Sequence, residues 1–272
     1  MKNWLLNTLR TAVILLSATL LITSCQQSDF DEPLLDGETV MVSFNSSIDN
    51  QALTRAWDGM NVDKLYFELY VDQSRIERKE FNVTDGNIVN FKIELLKNMT
   101  YRAVFWAQNS SCEVYNKDNL SDISIDYSKI SSDFSAISNC DAFHAACTFT
   151  VNQETIKNGV DVKLTRPFAL IIAGVNDIAS GAATSITVSK VATEFNAFNY
   201  EASEGESKTF NFSPNGTTTV PGKSHKMIGM AYVLPLKDTV TTVTVKTMPS
   251  KESSITLEKL EANKKYNILS AQ

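Results

Sequence analysis

Histidine is almost absent from this chain: only His144 and His225 occur among its 272 residues. Histidine is the commonest general base and the commonest metal ligand in proteins. His225 follows Ser224, but neighbours in sequence do not make a catalytic pair, and no Gly-x-Ser-x-Gly motif accompanies them. No Cys/His group has zinc spacing, and no glycine-rich phosphate loop occurs. We expect both histidines to be structural and predict no catalytic residue, no metal site, no cofactor and no enzyme activity.

Long hydrophobic runs are also scarce. The one run in the first part of the chain, residues 11–22, is roughly 12 residues long, fewer than the ~20 that span a bilayer. Lys2 and Arg10 flank its start, and the small residues Thr23 and Ser24 separate it from Cys25. A positive start, a short apolar stretch and small residues before a cut are typical of an export signal. With cysteine at the cut, the segment resembles a bacterial lipoprotein signal. We predict a signal peptide over residues 1–24 and a lipid on Cys25.

Positive charge is in deficit, with 25 Lys and Arg residues against 31 Asp and Glu residues and a net charge of −6. An exported acidic protein is a poor candidate for binding nucleic acid. The segment behind Cys25 is especially acidic, and it contains Asp29, Asp31, Glu32, Asp36 and Glu38. It resembles the acidic surface-export signal of Bacteroidota lipoproteins, although a solvated linker has the same composition. We predict an acidic linker over residues 25–37 and a surface location.

Cysteine is rare as well, and three cysteines remain beyond Cys25. An odd number leaves at least one thiol without a partner. Cys147 lies in an apolar run and is expected to pack as a small core residue. Cys112 and Cys140 lie in loop-like sequence, and an oxidising compartment permits a disulfide between them. The sequence leaves both a bond and two free thiols open.

The rest of the chain has the pattern of β-structure. Residues 65–71 alternate between apolar and more polar side chains, which predicts a half-buried strand. Residues 76–83 and 88–95 flank Asp85-Gly86, which predicts a β-hairpin. Residues 103–107 are nearly all apolar and indicate a strand buried on both faces. Several such strands between turn signals are typical of an all-β sandwich fold.

Residues 109–139 differ from these strands, since they are polar and rich in Ser, Asp and Asn. They predict a long loop with at most a short helix within 121–139. The aspartates of this segment lack the tight alternating spacing and the turn glycine of a calcium loop. We therefore expect them to be solvated.

Two observations favour a division of the chain near residue 165. Arg166-Pro167 interrupts the strand pattern, because proline cannot donate to a sheet ladder. The spacing Leu-x-x-Asn-x-x-Tyr, which ends at Tyr101, recurs and ends at Tyr266. In both places the Asn permits a tight turn and the Tyr ring enters the core. The sequence predicts an N-terminal β-sandwich domain over 38–165 and a C-terminal one over 166–272.

A family resemblance rests on several phrases taken together. Behind the lipoprotein cysteine and the acidic linker come the strand Thr-Val-Met-Val-Ser-Phe at 39–44 and Leu-Thr-Arg-Ala-Trp at 53–57. Val-Phe-Trp-Ala-Gln follows at 104–108 and Leu-Thr-Arg-Pro-Phe-Ala at 164–169. The layout resembles the fimbrillin-like (type V pilus subunit) lipoproteins of Bacteroidales. The resemblance implies two transthyretin-like β-sandwich domains in tandem and a structural or adhesive role in a fimbria on the outer membrane.

The same resemblance gives a meaning to Arg55 and Ala56. In stalk subunits of that family a trypsin-like protease cuts after an arginine behind the first strand, and the matching bond here is Arg55–Ala56. The loss of a strand leaves unpaired backbone groups and an apolar groove, which a strand from another subunit can fill. The alternative is that Arg55 is an ordinary loop residue. In stalk members of the family the donated strand comes from the C-terminal end of the chain. Here residues 265–272 are short and end in polar residues, so they leave little to donate, which favours an anchor, accessory or tip role over a stalk role.

These features predict three kinds of partner: other fimbrial subunits, the outer membrane through the lipid on Cys25, and a host protein or glycan receptor. The alternative function is a surface glycan- or protein-binding lipoprotein that does not polymerise. An exposed row of aromatic side chains on one sheet face would favour that alternative. An enzyme such as a glycosidase or a peptidase is the third and least favoured class.

Overall fold

The computed structural model describes residues 37–49, 62–83, 88–247 and 251–270. The predicted all-β fold class is confirmed, since strands make up most of this part of the chain. Two short helices, α1 (Phe134–Ser138) and α2 (Gln153–Asn158), and a 3-10 turn (Tyr127–Lys129) accompany them. None of the described helices is long and apolar enough to cross a membrane. The strands are β1 (Thr39–Ile48), β2 (Lys64–Val71), β3 (Ser74–Asn82), β4 (Ile88–Leu96), β5 (Thr100–Gln108), β6 (Tyr115–Asn116), β7 (Ile123–Ile125), β8 (Ala142–Thr150), β9 (Val160–Leu164), β10 (Ala169–Val175), β11 (Thr184–Asn196), β12 (Glu201–Phe212), β13 (Lys226–Val233), β14 (Thr241–Thr247), β15 (Lys251–Leu257) and β16 (Lys265–Ser270).

The strands form sheets with the same connectivity in the first and second halves of the chain. In the first half a sheet of order β4-β1-β9 accompanies one of order β3-β2-β5-β8. In the second half a sheet of order β13-β10-β16 accompanies one in which β15, β14, β11 and β12 are neighbours. β16 is therefore an edge strand of its sheet and pairs in parallel with β10. Thr39–Gln272 form one compact unit, so a domain boundary at residue 165 stays a prediction.

The hairpin predicted around Asp85-Gly86 is wrong. β3 pairs with β2, whereas β4 pairs with β1 in the other sheet. The side chains of β3 are mostly polar and lie at a sheet edge, but β4 buries Val89, Ile93 and Leu95 in the core. A turn motif predicts a change of chain direction, but the burial of apolar side chains determines which strands pair.

The loop predicted over 109–139 is instead a folded insertion. It contains β6, β7, the 3-10 turn and the predicted short helix, α1. β7 pairs with β11, so that the insertion extends the large sheet of the second half. The Tyr127 hydroxyl donates to the Ala192 carbonyl (3.0 Å) and accepts from the Leu234 amide (3.0 Å). The insertion leaves the first half between β5 and β8 and packs as part of the second.

The insertion also changes the surroundings of β2. The sequence pattern predicts solvent on the face that carries Tyr66, Glu68 and Tyr70, yet all three are buried, with Glu68 0% exposed. The Glu68 carboxylate accepts hydrogen bonds from the Tyr70 hydroxyl (2.5 Å) and the Leu120 amide (3.1 Å). It also forms ion pairs with the guanidinium groups of Arg75 and Arg78. The charge is buried because the insertion covers it and supplies partners.

Cys112 and Cys140 form a disulfide, which resolves the question that the sequence left open. The bond joins the two ends of the insertion across a sequence separation of 28 residues. Cys147 is a free, half-buried cysteine on β8, and burial raises the pKa of its thiol to about 11.

A buried ion pair follows directly after this disulfide. Arg166 donates to both carboxylate oxygens of Asp141, and both side chains are almost fully buried. The same guanidinium lies over the rings of Phe143 (4.7 Å) and Tyr232 (6.0 Å) and donates to the Asn263 amide oxygen (3.3 Å). Arg166 therefore joins the end of the insertion, the connection between β9 and β10, and the turn before β16.

The repeated Asn and Tyr phrases form similar corners at different places in the fold. Asn98 and Asn263 adopt the left-handed conformation, with φ of 64° and 59°. The Tyr101 hydroxyl accepts from the Leu96 amide (3.1 Å), and the Tyr266 hydroxyl accepts from the Glu261 amide (3.0 Å). The first corner joins β4 to β5 and the second joins β15 to β16, so their strands hold different sheet positions. The recurrence marks a local turn and does not by itself mark a repeated domain.

We predict that replacement of both Cys112 and Cys140 by Ser lowers the free energy of unfolding by about 3–4 kcal/mol, because an open loop of this length has more unfolded-state entropy. Urea unfolding followed by circular dichroism measures the loss. Cys147→Ala, which removes a free thiol, is the matched control. Equal urea midpoints for the control and the double variant would contradict the role of the disulfide.

We predict that Arg166→Met destabilises the fold by about 3–5 kcal/mol, since it leaves the Asp141 carboxylate buried without a partner. The double variant Asp141→Leu/Arg166→Met should recover at least half of that loss, because neither charge remains. Urea unfolding of the single and double variants provides the comparison. A double variant that is no more stable than Arg166→Met would show that the ion pair is not the source of the effect.

Candidate functional site: the first strand and its groove

β1 occupies the middle of its sheet although it is the first strand of the described chain. It runs antiparallel to β4 from Thr39, opposite Leu96, to Ser47, opposite Ile88. On its other side it runs parallel to β9 from Phe44, opposite Val160. Removal of β1 would leave the facing edges of both β4 and β9 with unpaired backbone donors and acceptors.

Alternate side chains of β1 enter the core. Val42, Phe44 and Ser46 are buried, whereas Met41 is 52% exposed. The Ser46 hydroxyl donates to the Val89 carbonyl (2.8 Å), so the one buried polar side chain of the strand is satisfied. Phe44 is the centre of a cluster of rings, with centroid distances of 5.1 Å to Phe91, 5.4 Å to Phe67, 5.4 Å to Phe149 and 6.2 Å to Phe105. β1 fills a groove between β4 and β9, and the Phe44 ring lies at the centre of that groove.

A glycine allows β9 to lie close to β1. Gly159, directly before β9, has a φ of 79°, which a residue with a side chain adopts only with strain. A Cβ at this position would lie 2.8 Å from the Ser43 carbonyl oxygen. The preceding helix α2 ends here, with the Gly159 amide donating to the Thr155 carbonyl. The glycine lets the chain leave α2 and enter the parallel pairing with β1.

Polar contacts at the rim accompany the buried face of β1. The side-chain amide of Asn45 donates to the Asp161 carboxylate (2.8 Å), and the Thr39 hydroxyl donates to the Glu94 carboxylate (2.6 Å). Such exposed contacts each contribute little to stability. They lie on side chains of β1 that alternate with the buried ones, so they help to fix the register of the strand.

The residues that the sequence singled out lie outside the described part of the chain. Cys25 precedes it, and Arg55 and Ala56 fall within the undescribed residues 50–61. The sequence itself places the Arg55–Ala56 bond between β1 and β2. A cut at that bond would therefore separate β1 covalently from all the strands that surround it.

A second site lies where β8, the connection 165–167, the β11–β12 hairpin and the turn before β16 meet. His144, Arg166, Phe195, Tyr200 and Asn263 line a cleft of about 350 Å³ there. The His144 ring centroid lies 3.9 Å from that of Tyr200 and 4.7 Å from that of Phe195. Burial lowers the pKa of His144 to about 3, so its imidazole is neutral near pH 7. We call this site the interhalf cleft.

The sequence did not indicate Tyr200 as a site residue, because nothing in its neighbourhood resembles a motif. The described ranges contain no group of three or more His, Cys, Asp or Glu side chains that could hold a metal ion. The interhalf cleft brings together residues from positions 144 to 263, and its members share no sequence spacing. Only the fold assembles them.

We predict that Phe44→Ala destabilises the chain by about 3–5 kcal/mol, because it removes the ring from the centre of a packed cluster. Met41→Ala, on the exposed face of the same strand, should change stability by less than about 0.5 kcal/mol. Chemical unfolding of the mature chain measures both. Equal losses in the two variants would contradict the one-sided burial of β1.

The fold of this chain is similar to those of several solved structures. Among solved structures the chain is similar to a proposed adhesin from Bacteroides thetaiotaomicron, with 14% identity, a TM-score of 0.51, and coverage of 83% of this chain and 81% of that one. A proposed adhesin from Bacteroides ovatus matches with 11% identity and a TM-score of 0.52, over 86% and 88% of the two chains. The tip fimbrial protein Mfa3 from Porphyromonas gingivalis, truncated at its C-terminus, aligns at 11% identity and a TM-score of 0.49, over 81% and 82%.

The resemblance that the sequence predicted is thus found in the fold, which this chain shares with Bacteroides proteins of proposed adhesive role. No curated protein matches the chain. A family model matches residues 35–265, a range that begins before β1 and ends at the start of β16. The chain belongs to the family of unknown function DUF6562.

Proposed function

We propose that this protein is a structural and adhesive subunit of a fimbria, and that it assembles by β-strand donation, in which a strand of another subunit replaces its first strand. The observation that supports this most is the position of β1, which is first in the described chain but central in its sheet. The fold similarity to proposed adhesins agrees with such a role. The proposed role requires no catalytic residue.

Loss of β1 would change the protein in a defined way. Withdrawal of Phe44 would open the ring cluster formed with Phe67, Phe91, Phe105 and Phe149. The edges of β4 and β9 would face the same empty groove. Exposed edges and an open apolar groove favour the addition of a strand from another chain. A strand that fills this groove must offer a large apolar side chain at the position of Phe44.

Exchange of this kind makes a head-to-tail contact. The groove of one subunit receives a strand from the next, and because the two surfaces differ, the contact does not close on itself. Repetition of the contact gives a filament. In this scheme the Arg55–Ala56 bond is the place where processing would release β1.

The membrane tether belongs to the same proposal. Cys25 and β1 both precede Arg55 in sequence, so one cut would remove the lipid and the strand together. An uncut chain would keep its lipid and serve as an outer-membrane anchor. A cut chain would be free to join a fibre at the cell surface.

A surface glycan- or protein-binding lipoprotein that does not polymerise is the second candidate. A row of exposed aromatic side chains would favour it. Within the described ranges the large exposed hydrophobic side chains include one aromatic ring, that of Tyr200; the others are Met41, Ile76, Val240 and Ile255. These residues do not form an aromatic row, which leaves strand exchange as the better-supported proposal.

Limited trypsin treatment of the mature chain tests the proposal. We expect preferential cleavage after Arg55, a new N-terminus at Ala56, and a concentration-dependent ladder on unboiled gels as a strand of one cut subunit fills the groove of the next. A synthetic peptide of residues 39–48 should suppress the ladder by refilling the groove. The same peptide with Ala in place of Phe44 should suppress it at least tenfold less effectively, because it lacks the central ring.

The variant Arg55→Gln is the matched control, since it removes the cleavage site and should give neither the new terminus nor the ladder. Cut subunits that remain monomeric at every concentration would contradict assembly by strand exchange. The N-terminus of protein purified from the cell surface is the second readout. An acylated Cys25 terminus in every molecule would contradict processing at Arg55.

A further inference from the structure

The interhalf cleft has the size and composition of a small-molecule site. Its volume of about 350 Å³ lies in the range typical of ligand pockets, which are mostly apolar with a few placed polar groups. Phe195, Tyr200 and Leu234 supply apolar surface, and His144 and Asn263 supply neutral polar groups. Strand exchange at β1 does not involve any of these residues.

His144 is the first indication of a ligand. Its side chain lines the cleft, yet the residue is only 2% exposed, and its Nδ1 atom has no hydrogen-bond partner in the part of the chain that the structure describes. Buried polar atoms in folded proteins are nearly always paired, because an unpaired one costs about 1–3 kcal/mol. Burial keeps this imidazole neutral, so one ring nitrogen can donate a hydrogen bond to a hydroxyl group and the other can accept one.

Tyr200 is the second indication. It has a φ of 66°, a conformation in which glycine or asparagine is usual and a bulky residue is an outlier. The turn is held by the Tyr200 amide, which donates to the Asn196 carbonyl (2.9 Å), and by the Asn199 amide, which donates to the Asn196 side chain (2.9 Å). Tyr200 lines the cleft and is nevertheless 52% exposed. A bulky residue held in this conformation beside an unpaired imidazole supports a functional hypothesis for the cleft.

The charges of the cleft restrict the ligand. Of the described residues that line it, only Arg166 is charged, and its guanidinium is already bound by both carboxylate oxygens of Asp141. A charged ligand would lose its hydration there without gaining a free counter-ion. A wholly apolar ligand would leave the His144 imidazole unpaired. The ligand should therefore be neutral, with hydroxyl groups and one apolar face.

We propose that the interhalf cleft binds a single neutral sugar ring, with its hydroxyl groups bonded to His144 and Asn263 and its apolar face against Tyr200. The chemistry of a hexose or an N-acetylhexosamine meets each requirement. A volume of about 350 Å³ holds one such ring, so we expect the cleft to contact one residue of a glycan.

Histidine-observed NMR tests the proposal, since the chain contains only two histidines. The mature chain, labelled with ¹³C at histidine Cε1, would be titrated with galactose, glucose, mannose, N-acetylglucosamine and N-acetylgalactosamine, and His225→Gln would assign the two signals. We expect at least one sugar to shift the His144 signal in a saturable way, with a Kd on the order of 1 mM, as is usual for a ligand of this size. The His225 signal should not move.

Two variants of Tyr200 distinguish the contribution of its ring to binding from the contribution of its backbone conformation. Tyr200→Asn tolerates the left-handed conformation but removes the ring, and we expect it to weaken sugar binding at least tenfold. Tyr200→Phe keeps the ring and should bind within twofold of the original chain. Ala202→Leu, which fills the cleft from β12, is a second route to the same loss and does not alter the turn.

Three results would overturn the proposal. The first is a His144 signal that none of the five sugars moves. The second is a shift that persists at equal strength in Tyr200→Asn or Ala202→Leu, which would place the sugar elsewhere. The third is saturation by phenol or by acetate in parallel titrations that no sugar reproduces, which would assign the cleft to an aromatic or an anionic ligand.

Discussion

The buried ion pair between Asp141 and Arg166 is the interaction on which the arrangement of this chain depends. Asp141 follows the disulfide that closes the insertion, and Arg166 lies in the connection between β9 and β10. Both charges are out of contact with water, so each requires the other. The guanidinium also contacts Tyr232 of β13 and Asn263 before β16. One side chain thus fixes the junction of the first half, the insertion and the second half.

A single sheet then carries two different environments. On one face of β5, Phe105 packs in the core that contains Phe44 of β1. On the other face, Trp106 packs with Tyr115 of the insertion and lies opposite His144 of β8. The groove of β1 and the interhalf cleft are therefore on opposite faces of the sheet β3-β2-β5-β8. In the proposed scheme, this separation lets a strand be replaced on one face of the sheet while the cleft on the other face is kept.

Sequence patterns predicted the strands correctly where the alternation of apolar and polar side chains along the chain is enough to define them. The alternation in β2 and the apolar run of β5 both became strands, because period-two burial is a local property. The same alternation misplaced the outer face of β2, since Glu68 looks like a solvent-facing residue until the insertion covers it. The hairpin around Asp85-Gly86 failed for a related reason, because β4 pairs with β1 and buries its apolar side chains in the core there. Long-range packing overruled the local signal in both cases.

The sequence alone determined the all-β class and the position of the strand that includes Phe44. Both follow from patterns that are read along the chain, whereas the cut at Arg55–Ala56 stays a prediction from a family resemblance and the lipid on Cys25 a prediction from a signal motif. The tertiary structure alone decided that β1 is a central strand, that Cys112 bonds with Cys140, and that His144 meets Tyr200. Each of these joins residues that are distant in sequence, and such residues meet only when the chain packs its apolar surface into a common core.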